Sequence, residues 1–272
     1  MAQGALRASV WGASLFQYHA PHMGHSERIY RLTRAGQEAC EGEDVAIPAD
    51  YRRLLWLIAF HGHAGVIQGL LRHYARDVLD DWLSELAELG LIELVPESEI
   101  TQRPDNTIAV GKIELRQAES VGEALARTGA YLAADRLQKR QVPHKPPADT
   151  AILIVEDDPD QLALADLRVS MAGYKVRVAS SVHAFLQAML DDGPPDLLLL
   201  DVDLPDGDGF EVLAKMRRHR SLNSLPIVLL TAKNDPADIG KGLVLGADGY
   251  VTKPYTKNIL ADVIRRVLKQ DL

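Results

Sequence analysis

From Ala151 onward the chain exchanges short apolar runs with amphipathic stretches, and this regular exchange limits its fold more than any other feature. AILIVE (Ala151–Glu156), YKVRVAS, PDLLLLDVDL, LPIVLLTA and GYVTK carry the short runs. Between and after them lie DQLALADLRVSMAG, SVHAFLQAML, GFEVLAKMRRH, PADIGKGLVLG and TKNILADVIRRVLKQ, with apolar residues at helical spacing. A strand with one wet face alternates polar and apolar residues, and Leu197 to Leu200 does not alternate. Both faces of that strand must therefore be covered, as happens in a parallel sheet with helices on either side. The pattern predicts an α/β domain built on an open, doubly wound sheet of five parallel strands.

Sites on such sheets form at the C-terminal ends of the strands. The predicted strands end at Glu156 and Asp157, at Asp201, at Thr231 and at Lys253. Three carboxylates, a hydroxyl and an ammonium would then meet in one pocket. Carboxylates that close repel one another unless a cation sits among them, and oxygen ligands select a hard ion, so Mg²⁺ is implied. A carboxylate held there can attack an activated phosphoryl group and form an acyl phosphate, with Lys253 and Thr231 neutralising the transferred oxygens. A flavin on the same fold would call for a Ser/Thr-rich phosphate loop after the first strand, and IVEDDP is not one.

The segments IVEDDP, LLLLDVDLPDGDGFEV, LLTA and GADGYVTKP resemble the signature motifs of response-regulator receiver domains, over nearly all of residues 149–272. The resemblance implies a flavodoxin-like receiver fold with Asp201 as phosphoacceptor. It implies Glu156 and Asp157 as the acidic pair, Asp157 contacting the metal directly, and the Asp203 backbone carbonyl as a further ligand. Thr231 becomes the switch hydroxyl, Lys253 the phosphate-binding lysine and Tyr250 the switch aromatic, and the Lys253–Pro254 bond is expected cis. Phosphorylation would draw Thr231 toward the phosphoryl group and let Tyr250 move inward. That would repack the face formed by the fourth helix, fifth strand and fifth helix, through which a homodimer could form. The partners implied are a sensor histidine kinase or phosphotransfer protein, and the role is that of a signalling protein rather than an enzyme.

Residues 1–148 read differently. YRLTRAG fits a strand leading into a short helix, followed by helices over PADYRRLLWLIAFHG, GVIQGLLRHY and VLDDWLSELAELG. LIELV and IAVGKIEL read as strands, and AESVGEALARTGAYLAADRLQKRQ as one long polar helix. Three helices followed by a strand, a polar turn and a second strand resemble the winged helix of bacterial regulators, giving an α+β N-terminal domain. WLSELAELGLIEL stands where the recognition helix and first wing strand would be. The expected division is 1–117 for this output module, 118–148 for a connecting helix and the Pro-rich VPHKPPADT linker, and 149–272 for the receiver. With the receiver placed last, output is expected from residues 1–148.

Charge leaves the output open. Residues 1–148 hold 19 acidic and 16 basic side chains and residues 149–272 hold 19 and 14, so neither half is basic as a nucleic-acid binder usually is. From Asp77 to Gly90 the would-be recognition helix carries Asp77, Asp80, Asp81, Glu85 and Glu88 and no basic residue. Phosphates would repel it. DNA binding and a winged helix reused for protein contacts both stand, and no DNA-binding residue can be named. The single cysteine, Cys40, excludes an intrachain disulfide and reads as inert. No apolar run approaches a membrane span, which points to a cytoplasmic protein. His19, His22 and His25 lie near a terminus, in a segment better read as disordered or as an edge strand than as metal ligands. His61 and His63 read as helix-end residues.

Overall fold

The computed structural model describes residues 27–41, 47–96, 99, 112–141, 143, 145–232, 236–256 and 258–270. In the N-terminal part, β1 (Tyr30–Leu32) leads into α1 (Arg34–Glu41), α2 (Ala49–Phe60), α3 (Ala64–Leu70), α4 (Arg76–Glu88) and β2 (Ile92–Leu94). β1 and β2 pair antiparallel, with Tyr30 opposite Leu94 and Leu32 opposite Ile92. The helices bury Leu54, Leu55, Leu57, Ile58 and Phe60 from α2 and Leu79, Leu83 and Leu86 from α4. These positions recur at three- and four-residue spacing, the stripe an amphipathic helix turns to a core.

Two expectations for the next segment are corrected. Ile108 to Gly111 of the expected second wing strand lie outside the described residues, but Lys112 to Leu115 open a helix, α5 (Lys112–Thr128). The expected single long helix is broken: α5 stops at Gly129, which sits at φ +75°. A left-handed conformation suits glycine and ends helices. The chain then forms β3 (Ala130–Leu132) and α6 (Ala134–Lys139).

The C-terminal part comprises β4 (Ala151–Val155), α7 (Pro159–Met171), β5 (Lys175–Ala179), α8 (Val182–Asp192), β6 (Leu197–Asp201), the small hairpin β7 (Asp203–Leu204) and β8 (Gly207–Asp208), α9 (Gly209–Arg218), β9 (Ile227–Thr231), α10 (Pro236–Leu245), β10 (Gly249–Thr252) and α11 (Ile259–Val267). The sheet order is β3-β10-β9-β6-β4-β5. The five predicted strands are all parallel, and the five-stranded expectation is corrected by a sixth: β3 pairs antiparallel with β10 at the sheet edge. Every residue of β6 and β9 is buried, as continuous apolar runs require.

Helices α7 and α11 cover one sheet face through Ala165, Val169, Leu260, Val263, Ile264 and Val267. The other face buries Phe185, Leu213 and Ile239 from α8, α9 and α10, in an apolar core continuous with that of the N-terminal helices. The Phe60 ring lies 6.4 Å from Phe185 and 6.2 Å from His219. Lys215 donates to the Phe60 carbonyl at 2.6 Å, and Arg53 to the Leu190 carbonyl at 2.9 Å.

Candidate functional site

Parallel pairing sets the ends of β4, β6, β9 and β10 side by side, with Asp201 in register with Leu230 and Thr252 with Thr231. The helices that follow start at defined caps. Asp158 accepts hydrogen bonds from the Asp160 and Gln161 amides, opening α7 with Pro159 in its first turn. Asp208 accepts from the Phe210 amide at 2.7 Å and opens α9. A Cβ on Gly209 would overlap the Asp201 carbonyl, so only glycine lets α9 start this close to the end of β6. Asp206 accepts from the Val182 and His183 amides at 2.7 and 2.9 Å, tying the loop after β6 to the start of α8.

Within this frame Glu156 is fully buried and Asp201 is 4% exposed, while Asp157 lies on the surface. One carboxylate oxygen from each of the three lies within 4.8 Å of the others. The Lys253 ammonium reaches Asp201 Oδ2 at 2.7 Å and both Glu156 oxygens at 2.6 and 2.7 Å. Tyr255 donates its hydroxyl to Glu156 Oε2 at 3.0 Å. Burial pushes the Glu156 carboxyl up, against the pull of Lys253, and the Asp201 charge adds to the rise. Burial alone would lower Lys253, but hydrogen bonds and charge from Asp201 and Glu156 outweigh it and hold the ammonium above its ordinary value. Three carboxylates against one ammonium leave an excess of negative charge in a small space, and their donor atoms are all oxygens. That set fits a hard divalent cation such as Mg²⁺.

The remaining expected residues fall around this centre. Thr231 ends β9 and is buried, and its carbonyl accepts from the Lys253 amide at 2.9 Å. Asp203 is exposed, with its amide 3.5 Å from Asp201 Oδ1. The Lys253–Pro254 bond is cis. Tyr250 points away from the acidic centre, toward α10. Its ring is already fully inside, and the hydroxyl donates to the Ile239 carbonyl at 2.8 Å. Burial drives that phenol far above its ordinary range.

Sequence reasoning missed Tyr255, whose only signal was a hydroxyl two residues beyond Lys253, and it missed the anchoring role of Asp206. Cys40 lies 3.7 Å from the His219 ring, and burial pushes its thiol up to about 11, a poor nucleophile. His61 and His63 flank the turn between α2 and α3 with their rings 6.4 Å apart. His19, His22 and His25 lie outside the described residues. Among the described residues no helix is long and apolar enough to cross a membrane.

The family described as response regulator receiver domain matches residues 152–265. The transcriptional regulatory protein AfsQ1 of Streptomyces coelicolor is 42% identical over 120 residues, covering 44% of this chain and 52% of that protein. The transcriptional regulatory protein GltR of Pseudomonas aeruginosa is 40% identical over 120 residues, covering 44% and 49%. Among solved structures, the chemotaxis response regulator CheY4 of Vibrio cholerae is 27% identical, covering 44% of this chain and 98% of that one with a TM-score of 0.41. The chain thus spans about half the length of the curated relatives it matches. Residues 152–265 are a response regulator receiver domain.

Proposed function

We propose that this chain, through its receiver domain, takes a phosphoryl group onto Asp201 from a histidine kinase or phosphotransfer protein and uses it to control the N-terminal module. The observation that carries this reading is the convergence of Glu156, Asp157, Asp201 and Lys253 at the strand ends. An Asp201 carboxylate oxygen attacks the phosphorus of the donor phosphohistidine, the P–N bond breaks, and the imidazole nitrogen leaves with the electron pair. Asp201 becomes an acyl phosphate. Lys253, already against Oδ2 of Asp201, pairs with the incoming phosphoryl oxygens, and the Thr231 hydroxyl donates to another. Glu156, Asp157, Asp201 and the Asp203 backbone carbonyl would hold Mg²⁺, which when bound neutralises charge on the transferred group. The role is signalling rather than enzymatic turnover, and the setting is the cytoplasm.

For the output, the order of three helices and a strand supports a winged-helix-like module, and two relatives are named as transcriptional regulators. A second reading, a phosphorylation-controlled protein adaptor, is favoured by α4. Its Asp77, Asp81, Glu85 and Glu88 are all exposed, which a DNA groove would repel. A homodimer through α10, β10 and α11 would require α5 and β3 to leave that face first.

One experiment separates these readings: a genomic-DNA pulldown by the purified chain with and without Mg²⁺ and acetyl phosphate, with aspartyl phosphate measured in the same samples. Labelling of the wild type and none of Asp201→Asn is the expected result. Undiminished labelling of that variant removes the phosphoacceptor assignment. Specific fragments enriched only on labelling identify a transcription regulator, and labelling without enrichment selects the adaptor.

A further inference from the structure

The sixth strand extends the sheet at the edge that β10 would otherwise leave open. β3 is bonded along the open edge of β10, with Tyr131 opposite Tyr250 and Ala130 opposite Val251. At one end of this pairing, the Thr252 amide and hydroxyl both donate to the Gly129 carbonyl, at 3.0 and 3.3 Å. At the other end the Ala133 amide donates to the Asp248 carbonyl at 2.9 Å. Ahead of β3, α5 buries Ala118, Val121 and Leu125, and its Gly122 faces Ile239 of α10. Behind β3, Arg140 binds the Asp248 carboxylate at 2.5 Å and Arg136 lies 3.6 Å from it. The chain's own connecting segment therefore covers α10 and β10.

This cover is joined to the acidic site by very short paths. Gly129, the break between α5 and β3, hangs from Thr252, which precedes Lys253 and pairs with Thr231. Ile239, the residue that faces α5, accepts the Tyr250 hydroxyl, and a Cβ on Gly242 would overlap that same hydroxyl. A rearrangement of Thr231 and Lys253 around a phosphoryl group would reach the Gly129 attachment directly through Thr252, and the Ile239 contact through Tyr250 on the same strand. We propose that α5 and β3 form an intramolecular clamp on α10 and β10, which phosphorylation of Asp201 releases to pass the signal to the N-terminal module. The proposal rests on the phosphoacceptor reading above and names how that site is coupled to output.

The test is amide hydrogen exchange by mass spectrometry on the full chain in Mg²⁺, with and without acetyl phosphate, with aspartyl phosphate quantified in the same samples. Release predicts exchange about tenfold faster over residues 118–132 and 249–252 on labelling, within the usual range of coupling between sites. A companion variant carries Ala130→Cys and Val251→Cys in a Cys40→Ser background. These two positions form a non-hydrogen-bonded antiparallel pair, whose Cα separation of about 4.5 Å a disulfide can bridge. Oxidised, it should label normally yet lose the exchange response, and reductant should restore it. Labelled wild type with unchanged exchange overturns the clamp while leaving the phosphoacceptor reading intact. Wild type that takes no label overturns both.

Discussion

Lys253 and Tyr255 hold one buried carboxylate between them. The ammonium straddles both oxygens of Glu156, and the phenol takes Oε2. A hydrogen bond to a charged group is worth about 1.5–3 kcal/mol. Tyr255→Phe should therefore destabilise the chain by about that amount in urea unfolding, while Lys253 stays in place and Asp201 still accepts label from acetyl phosphate. Unchanged stability would mean that water replaces the phenol at no cost. Glu156, Asp201, Thr231 and Lys253 were legible because each ends or directly follows a strand, and parallel pairing gathers strand ends whatever the loops do. Tyr255 was not, since it reaches Glu156 from the loop beyond β10, where no periodicity assigns a direction to a side chain.

At the level of elements, the helices most exposed to error were those whose partners lie far off in sequence. The segment around Val121 and Leu125 reads as a mostly polar helix with few apolar positions, yet both side chains are buried on α5. Tyr131 and Leu132 continued a helical pattern but found the open edge of β10, and Gly129 allowed the turn. The contact between the N-terminal helices and the receiver was equally hidden, and it carries a pH dependence. Burial lowers the pKa of His219, with Glu41 partly opposing. It also lowers that of His61, where Lys215, His63 and His183 add to the effect and Asp206 opposes it. Both histidines are thus favoured neutral in the folded chain. The stability they supply is present above the ordinary histidine value of 6.5 and is lost as the pH falls below it toward their depressed folded values. The melting temperature should be lower at pH 5.5 than at pH 7.5, and His219→Gln should shrink that difference. An unchanged difference in the variant would place the acid sensitivity elsewhere.

For the whole molecule, the Pro-rich segment suggested separable halves, whereas the apolar core runs without a break from α2 through α8 to α10. Apolar periodicity reports that a helix face is covered but not by which neighbour, so this continuity could not be read beforehand. A polar counterpart to that core sits at Asp248. Its carboxylate, fully buried, takes Arg217 of α9 at 2.9 Å, Arg140 beyond α6 at 2.5 Å and the Ile227 amide of β9 at 2.8 Å. One side chain thereby ties the sheet, a receiver helix and the connecting segment. Burial already pulls the Arg217 guanidinium down to about 10, with Asp248 opposing the fall. Removing the anion would leave Arg217 and Arg140 buried beside each other and uncompensated. The loss on breaking a buried pair from one side is about 3–5 kcal/mol, far above the fraction of a kcal/mol typical of a surface pair. Asp248→Ala should show a loss of that size in chemical unfolding, with proteolysis at Arg136 and Arg140 accelerated in the native state. A loss below about 1 kcal/mol would mean that the guanidiniums turn out to solvent and that Asp248 does not bind the molecule together.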